Sequence, residues 1–275
     1  MQHLLRMART DIGESVRSRW FFIYTIVFGT IMVGLLVSGL TESRIMGFTG
    51  LSRLLLTYIQ ITMAILPIFM LITTVRSVVG DREAGVYEYM LSLPVGLAAW
   101  YWGKLIGRFI VVFLPVLLAM MLAVVWGMLK GVDIPWTQVV LYTSLLATII
   151  ICFLGIGMLI STLSKSTDVA QGAAFLIWLF LLLFLDLILL GTLIREGLPA
   201  ETAIGIALLN PLQAFRTAAM LLFDPHLVLL GPSAYVILDL FGRIGYLVWS
   251  IIYPVFIGFL TAGLGFWGFR RGDLS

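Results

Sequence analysis

Apolar residues in this chain gather into long runs, and short polar islands separate them. Six runs approach the ~20 residues that a helix needs to cross the hydrocarbon core: about 20–40, 54–79, 106–129, 138–163, 171–194 and 244–269. The pattern predicts an all-α integral membrane protein with six transmembrane helices, forming one membrane domain over residues 1–275. Residues 1–19 follow a different rhythm. Leu4, Leu5, Ala8, Ile12 and Val16 recur every three to four positions, while Arg6, Arg9, Glu14 and Arg17 lie mostly off that stripe. This predicts an amphipathic interfacial helix, either a juxtamembrane anchor or a docking surface for a partner.

Two islands are longer than a simple turn. The later one, residues 195–243, is itself half apolar: Ile204, Leu208, Leu212, Phe215, Ala219 and Leu222 share one helical face. Asn210–Pro211 breaks that helix or starts a new one, because the residue before proline avoids the α region. So apolar a segment outside a span is expected to re-enter the membrane or to pack on the span ends, where protein shields its backbone.

The earlier island, residues 80–105, opens with three charges, Asp81, Arg82 and Glu83. Gly80 is expected to end the second span, Asp81 to cap a following short helix and Glu83 to sit in its first turn. Val86, Met90 and Leu93 line one face of that helix, and Pro94 stops it. Trp100, Tyr101 and Trp102 read as interfacial aromatics, with Gly103–Lys104 re-entering at headgroup depth. The segment is either a partnerless interfacial loop or a coupling helix that seats in a groove on another protein.

Composition agrees with the pattern. The chain is 61% hydrophobic and 11% charged, against roughly 25% charged in soluble domains. The net charge of +3 does not point to nucleic acid, because basic loops also fix membrane orientation. With the N-terminus in the cytoplasm, 11 of the 17 Lys and Arg residues fall on inside segments and 6 on outside ones. This bias places both termini in the cytoplasm and the 80–105 island with them. A single cysteine, Cys152, lies inside an apolar run and allows no internal disulfide.

The order charged triplet, Gly85, apolar helix, Leu91-Ser92-Leu93-Pro94 and Gly103-Lys104 resembles the cytoplasmic loop of type 2 ABC transporter permeases. The layout is also similar: an interfacial N-terminal helix, six spans and a long external segment before the last. The resemblance covers nearly the whole chain. It implies a permease subunit of a bacterial or archaeal cytoplasmic membrane, paired with a second permease copy. It also implies a separate cytoplasmic ATPase that uses ATP and Mg²⁺, with no cofactor bound by this chain. Asp81, Arg82, Glu83, Gly85, Val86, Met90 and Pro94 are the residues so assigned to the ATPase contact; the position of Val86 is often threonine in the family. Leu209–Arg216 further resembles the external segment of permeases from the nitrous oxide reductase maturation complex. That implies a periplasmic accessory protein for copper or sulfur delivery, contacted by Asn210, Pro211, Phe215 and Arg216.

Residue chemistry supplies no catalytic centre. No G-x-x-x-x-G-K-[ST] loop is present to cradle ATP phosphates, so an ATPase is expected in trans. His3 and His226 lie outside the spans, and clustered Cys and His for a metal site are lacking. Asp186, mid-span, costs about 2.5–3.5 kcal/mol on insertion scales. It should face protein or water, as an inter-helix contact, a dimer contact or part of a path. Gln60, Met63, Pro67, Met70 and Thr74 fall in one arc of the second span, predicted to face away from lipid and to pack or line a translocation path. Thioethers suit Cu(I), but methionine also fills apolar gaps. Three functions stay open: a permease for export of lipid, drug or ion; a mechanical relay acting on a periplasmic partner; and a secondary transporter or channel. The last predicts repeats and broken helices, for which Pro67, Pro115 and Pro254 are the candidates.

Overall fold

The computed structural model describes residues 2–37, 50–86, 96–131, 133–184, 205, 208–223 and 232–272. Among them the regular structure is all helical. In chain order the helices are α1 (Gln2–Val16), α2 (Arg19–Val37), α3 (Gly50–Glu83), α4 (Leu97–Leu129), α5 (Trp136–Leu163), α6 (Thr167–Leu179), α7 (Pro211–Phe223) and α8 (Pro232–Gly272). A π-helical turn, Phe180–Phe184, extends α6.

Four stretches among the described residues are long and apolar enough to cross a membrane: Gln60–Glu83, Leu97–Leu129, Trp136–Leu163 and Phe241–Arg271. α1 and α2 form a pair bent by 70°, and Thr167–Leu183 is a shorter apolar helix. The first predicted span therefore corresponds to α2 and the start of the fifth to α6, while residues 185–194 lie outside the described set. α3 has 34 residues, roughly 50 Å at 1.5 Å per residue. It outruns the ~30 Å hydrocarbon core, so part of it must stand clear. Pro67 and Pro115 lie inside continuous helices, and Pro254 lies in the part of α8 that follows its kink. The interruption falls instead at Gly242, whose φ of 64° and ψ of 165° kink α8; such a φ carries little penalty only for glycine.

Local chemistry explains several boundaries. Ser18 starts α2: its hydroxyl accepts from Phe21 N at 3.2 Å and donates to Ser15 O at 2.7 Å, as an N-cap does. Asn210 starts α7 in the same way, its Oδ1 accepting from Leu212 N at 3.0 Å. Pro211 then occupies the first helical position, where a missing N–H costs nothing. Asn210 Nδ2 also donates to Leu181 O in the π-turn at 2.8 Å, tying α7 to the end of α6.

The core joins α2 through α8 in one cluster of buried apolar side chains. Tyr24 Oη donates to Val112 O at 3.0 Å and Tyr58 Oη to Val116 O at 3.2 Å, so α2 and α3 are bonded to α4 on either side of Pro115. α5 and α8 cross in close contact: a Cβ on Gly155 would lie 1.9 Å from Gly258 O. α7 packs on α5, α8 and α3, and Leu212, Phe215, Ala218 and Ala219 on it are buried.

Candidate functional site

α3 leaves the bundle through Asp81, Arg82 and Glu83. Successive helical residues point about 100° apart, so these side chains fan out to three different helices. Asp81 forms an ion pair with Lys104 of α4. Lys104 Nζ also donates to Ser77 O at 3.1 Å and lies 5.0 Å from the centroid of the Trp100 ring. Arg82 Nη2 donates to the carbonyl of Ser164, the C-cap of α5, where a cation suits the negative end of the helix dipole. Glu83 takes the opposite kind of helix end. Its carboxylate accepts from Thr167 N at 2.9 Å and from Thr167 Oγ1 in the first turn of α6, among that helix's unpaired amides.

A further layer lies one turn back along α3. Ser161 Oγ of α5 accepts from Val78 N at 3.0 Å and Val79 N at 3.1 Å. Ser77 Oγ donates to Met158 Sδ at 3.2 Å. The last two turns of α3 are thus fastened to α4, α5 and α6 by polar bonds.

This corrects the sequence reading of the stop. α3 runs through Gly80 to Glu83, so Asp81 caps no following helix and Glu83 opens none. The glycine penalty of about 1 kcal/mol is outweighed by side chains that find partners only if helical register continues. The stop is Gly85, with φ of 68° and its amide donating to Arg82 O at 3.2 Å, a left-handed helix terminator. Val86 beyond it is exposed. Met90 and Pro94 lie outside the described residues.

A second correction concerns the entry to α4. Trp100 and Tyr101 are 3% and 0% exposed and so face protein and not lipid, while Trp102 is half-buried. Tyr101 Oη donates to Ala262 O of α8 at 2.9 Å, and Trp100 stacks on Phe269 with centroids 5.3 Å apart. α1 covers the other side. A Cβ on Gly103 would lie 2.7 Å from Met7 Cβ, and one on Gly107 would lie 2.9 Å from Ala8 O. These two glycines form the bed on which α1 rests, as small residues four apart do in membranes.

Part of the α1 stripe faces the bundle, with Leu4 and Ile12 half-buried. Ala8 and Asp11 are buried, while Leu5 and Val16 are exposed. Asp11 Oδ1 stands 3.7 Å from Arg108 Nε. Burial pushes the Asp11 carboxyl above its ordinary range, against the pull of Arg108 and Lys104. Sequence reasoning missed Asp11, Arg108, Ser161, Ser164 and Thr167. Arg108 was the available signal, since an arginine inside an apolar helix needs a counter-ion.

The other predicted residues are dispersed. Gln60 is exposed, whereas Met63, Pro67, Met70 and Thr74 are buried within the chain, Thr74 against Gly157. Asn210, Pro211 and Phe215 are buried and Arg216 half-buried; the Phe215 ring lies 6.1 Å from that of Tyr142. Asp186 is outside the described residues. The structure does not bring the Met63–Thr74 face, the α7 residues and the α3 terminus into one site.

Among the described residues the chain is an all-helical bundle with four helices long and apolar enough to cross a membrane. The chain belongs to the ABC-2 family transporter proteins, whose family model matches residues 5–274. It is similar to the probable ABC transporter permease protein NosY of Stutzerimonas stutzeri, with 25% identity over 225 residues, covering 78% of this chain and 80% of that one. The corresponding protein of Pseudomonas aeruginosa is 24% identical over 226 residues, covering 79% and 82%. The chain is thus a multi-pass membrane permease of an ABC system, and an ATPase partner follows from the family.

Proposed function

We propose that this chain is one half of a dimeric permease whose 80–105 segment receives the stroke of a cytoplasmic ATPase. The observation that carries this is the clamp. A loop whose stem is bonded to α4, α5 and α6 together cannot be displaced without moving helix ends that lead into the membrane. Coupling requires an element with discrete arrangements that both sites bias, and the Asp81–Lys104, Arg82–Ser164 and Glu83–Thr167 contacts are such an element. Their side chains serve the chain itself, so contact with the ATPase falls to Val86 and the residues after it. This reading uses an orientation with both termini in the cytoplasm, supported by the Lys and Arg bias.

Within the family we place the chain with the permeases of nitrous oxide reductase maturation, on its likeness to the NosY proteins and on Leu209–Arg216. The work done would then be copper or sulfur delivery, by export or by reshaping a periplasmic accessory protein. Asn210, Pro211 and Phe215 are buried, which favours an internal role for that motif over direct partner contact.

The test is reconstitution with the ATPase that co-purifies from native membranes. Glu83→Ala and Gly85→Leu should lower permease-stimulated ATP hydrolysis while leaving the bundle folded. Unchanged stimulation at normal expression would sink the coupling role. Full transport activity from the chain alone would move it to the secondary transporters. Normal maturation of nitrous oxide reductase in a deletion strain would remove the narrower assignment.

A further inference from the structure

The bend between α1 and α2 roofs a cavity of about 50 Å³. Ser15, Ser18, Thr73 and Arg108 give it polar walls, and Phe21 and Phe69 are among its apolar ones. A water needs roughly 10–15 Å³ of such space, so the cavity holds several waters or one group the size of a phosphate.

Arg108 is what asks for an occupant. Its Nη1 donates to Thr73 O, but its Nε is buried with no hydrogen-bond partner. The nearest carboxylate oxygen, Asp11 Oδ1, is 3.7 Å away, beyond hydrogen-bond reach. Burial also pushes the Asp11 carboxyl above its ordinary range, against the pull of Arg108. The hydroxyls are already engaged: Ser15 with Asp11, Ser18 with Ser15 O, and Thr73 with Phe69 O and Met70 O. Arg108 is therefore the donor left for a ligand, and its planar fork matches phosphate oxygens. Arg17 and Arg19 are exposed on either side of the bend and add positive potential there. An amphipathic α1 lying in the interface sets this cavity at the depth of lipid phosphates.

We propose that the cavity under the α1–α2 bend binds the phosphate of an anionic phospholipid, with Arg108 as its principal donor. The lipid then acts as a wedge between α1 and α4. The proposal rests on α1 lying in the membrane interface and is independent of ATPase coupling.

The test is native mass spectrometry of the full chain, with phosphatidylglycerol, phosphatidylcholine or inorganic phosphate added as separate probes. One phosphatidylglycerol should be retained per chain, with about tenfold preference over phosphatidylcholine, which offers the same phosphate oxygens but whose choline cation offsets their charge beside Arg108. Arg108→Gln should erase the preference. Val111→Phe fills the same cavity without touching a charge, and should lower retention even if the Arg108 variant fails to fold. Equal retention of the two lipids, or retention unmoved by Val111→Phe, overturns the proposal. Displacement of the lipid by inorganic phosphate at comparable concentration reassigns the site to free phosphate and overturns the lipid assignment. ATPase stimulation is read in parallel, so a loss of coupling with lipid binding intact counts against the proposed function alone.

Discussion

The α5–α8 crossing and the end of α3 hold helices together by opposite means. At the crossing there is no room for a side chain, and a Cβ on Gly258 would lie 2.5 Å from Ile151 O. At the α3 end, long charged side chains bridge gaps to three helices. Lipid tails are as apolar as leucine, so helices in a membrane gain nothing from hydrophobic segregation and must associate by close packing or by polar bonds. Close packing gives a joint with one geometry. Polar bonds between side chains can be exchanged, so the α3 end is suited to two arrangements and the crossing is not.

The largest effect should come from Gly155→Ala. A methyl group has nowhere to go against the backbone of Gly258, so the loss should reach or exceed about 3 kcal/mol, the upper part of the overpacking range. Unfolding of the purified chain in detergent measures it, and a loss below about 1 kcal/mol would break the contrast drawn above. Lys104→Met comes next. It leaves Asp81 unpaired and should cost about 2–3 kcal/mol, less than the ~3–5 of a fully buried pair, since the Asp81 side chain is 25% exposed. Adding Asp81→Asn should restore part of that; no restoration would mean that Lys104 acts through Ser77 O and Trp100 instead. Asn210→Ala removes an N-cap and the tie to Leu181, for a loss of about 1 kcal/mol. Glu83→Ala should shift unfolding least, because the side chain is solvated, yet lower ATPase stimulation about fivefold or more. A large unfolding shift with coupling intact would make the Glu83–Thr167 contact a static joint like the glycine crossing.

Hydropathy along the chain already outlined α2 through α5 and the membrane part of α8, because a span must be apolar over its whole length. Asn210–Pro211 was legible as a helix start for a local reason: cap and first-turn proline are neighbours in sequence. The clamp was not legible. Asp81, Arg82 and Glu83 announce themselves as charges, but Ser164 and Thr167 are ordinary residues more than 80 positions away, and no local period connects them. The same holds for α1. Its apolar stripe reads as an anchor or a docking surface for a partner, and nothing within α1 itself points to Gly103 and Gly107 of α4 as the bed for Ala8 and Asp11.

The three-way anchoring at Asp81–Glu83 also makes the length of α3, and not only the identity of its residues, a constraint. Inserting one residue between Thr74 and Asp81 turns all three side chains by about 100° and breaks every contact at once, so length there is fixed. Single substitutions at Asp81, Arg82 or Glu83, by contrast, each remove one contact and leave the register of the other two intact, so an insertion there should cost more than any one of them.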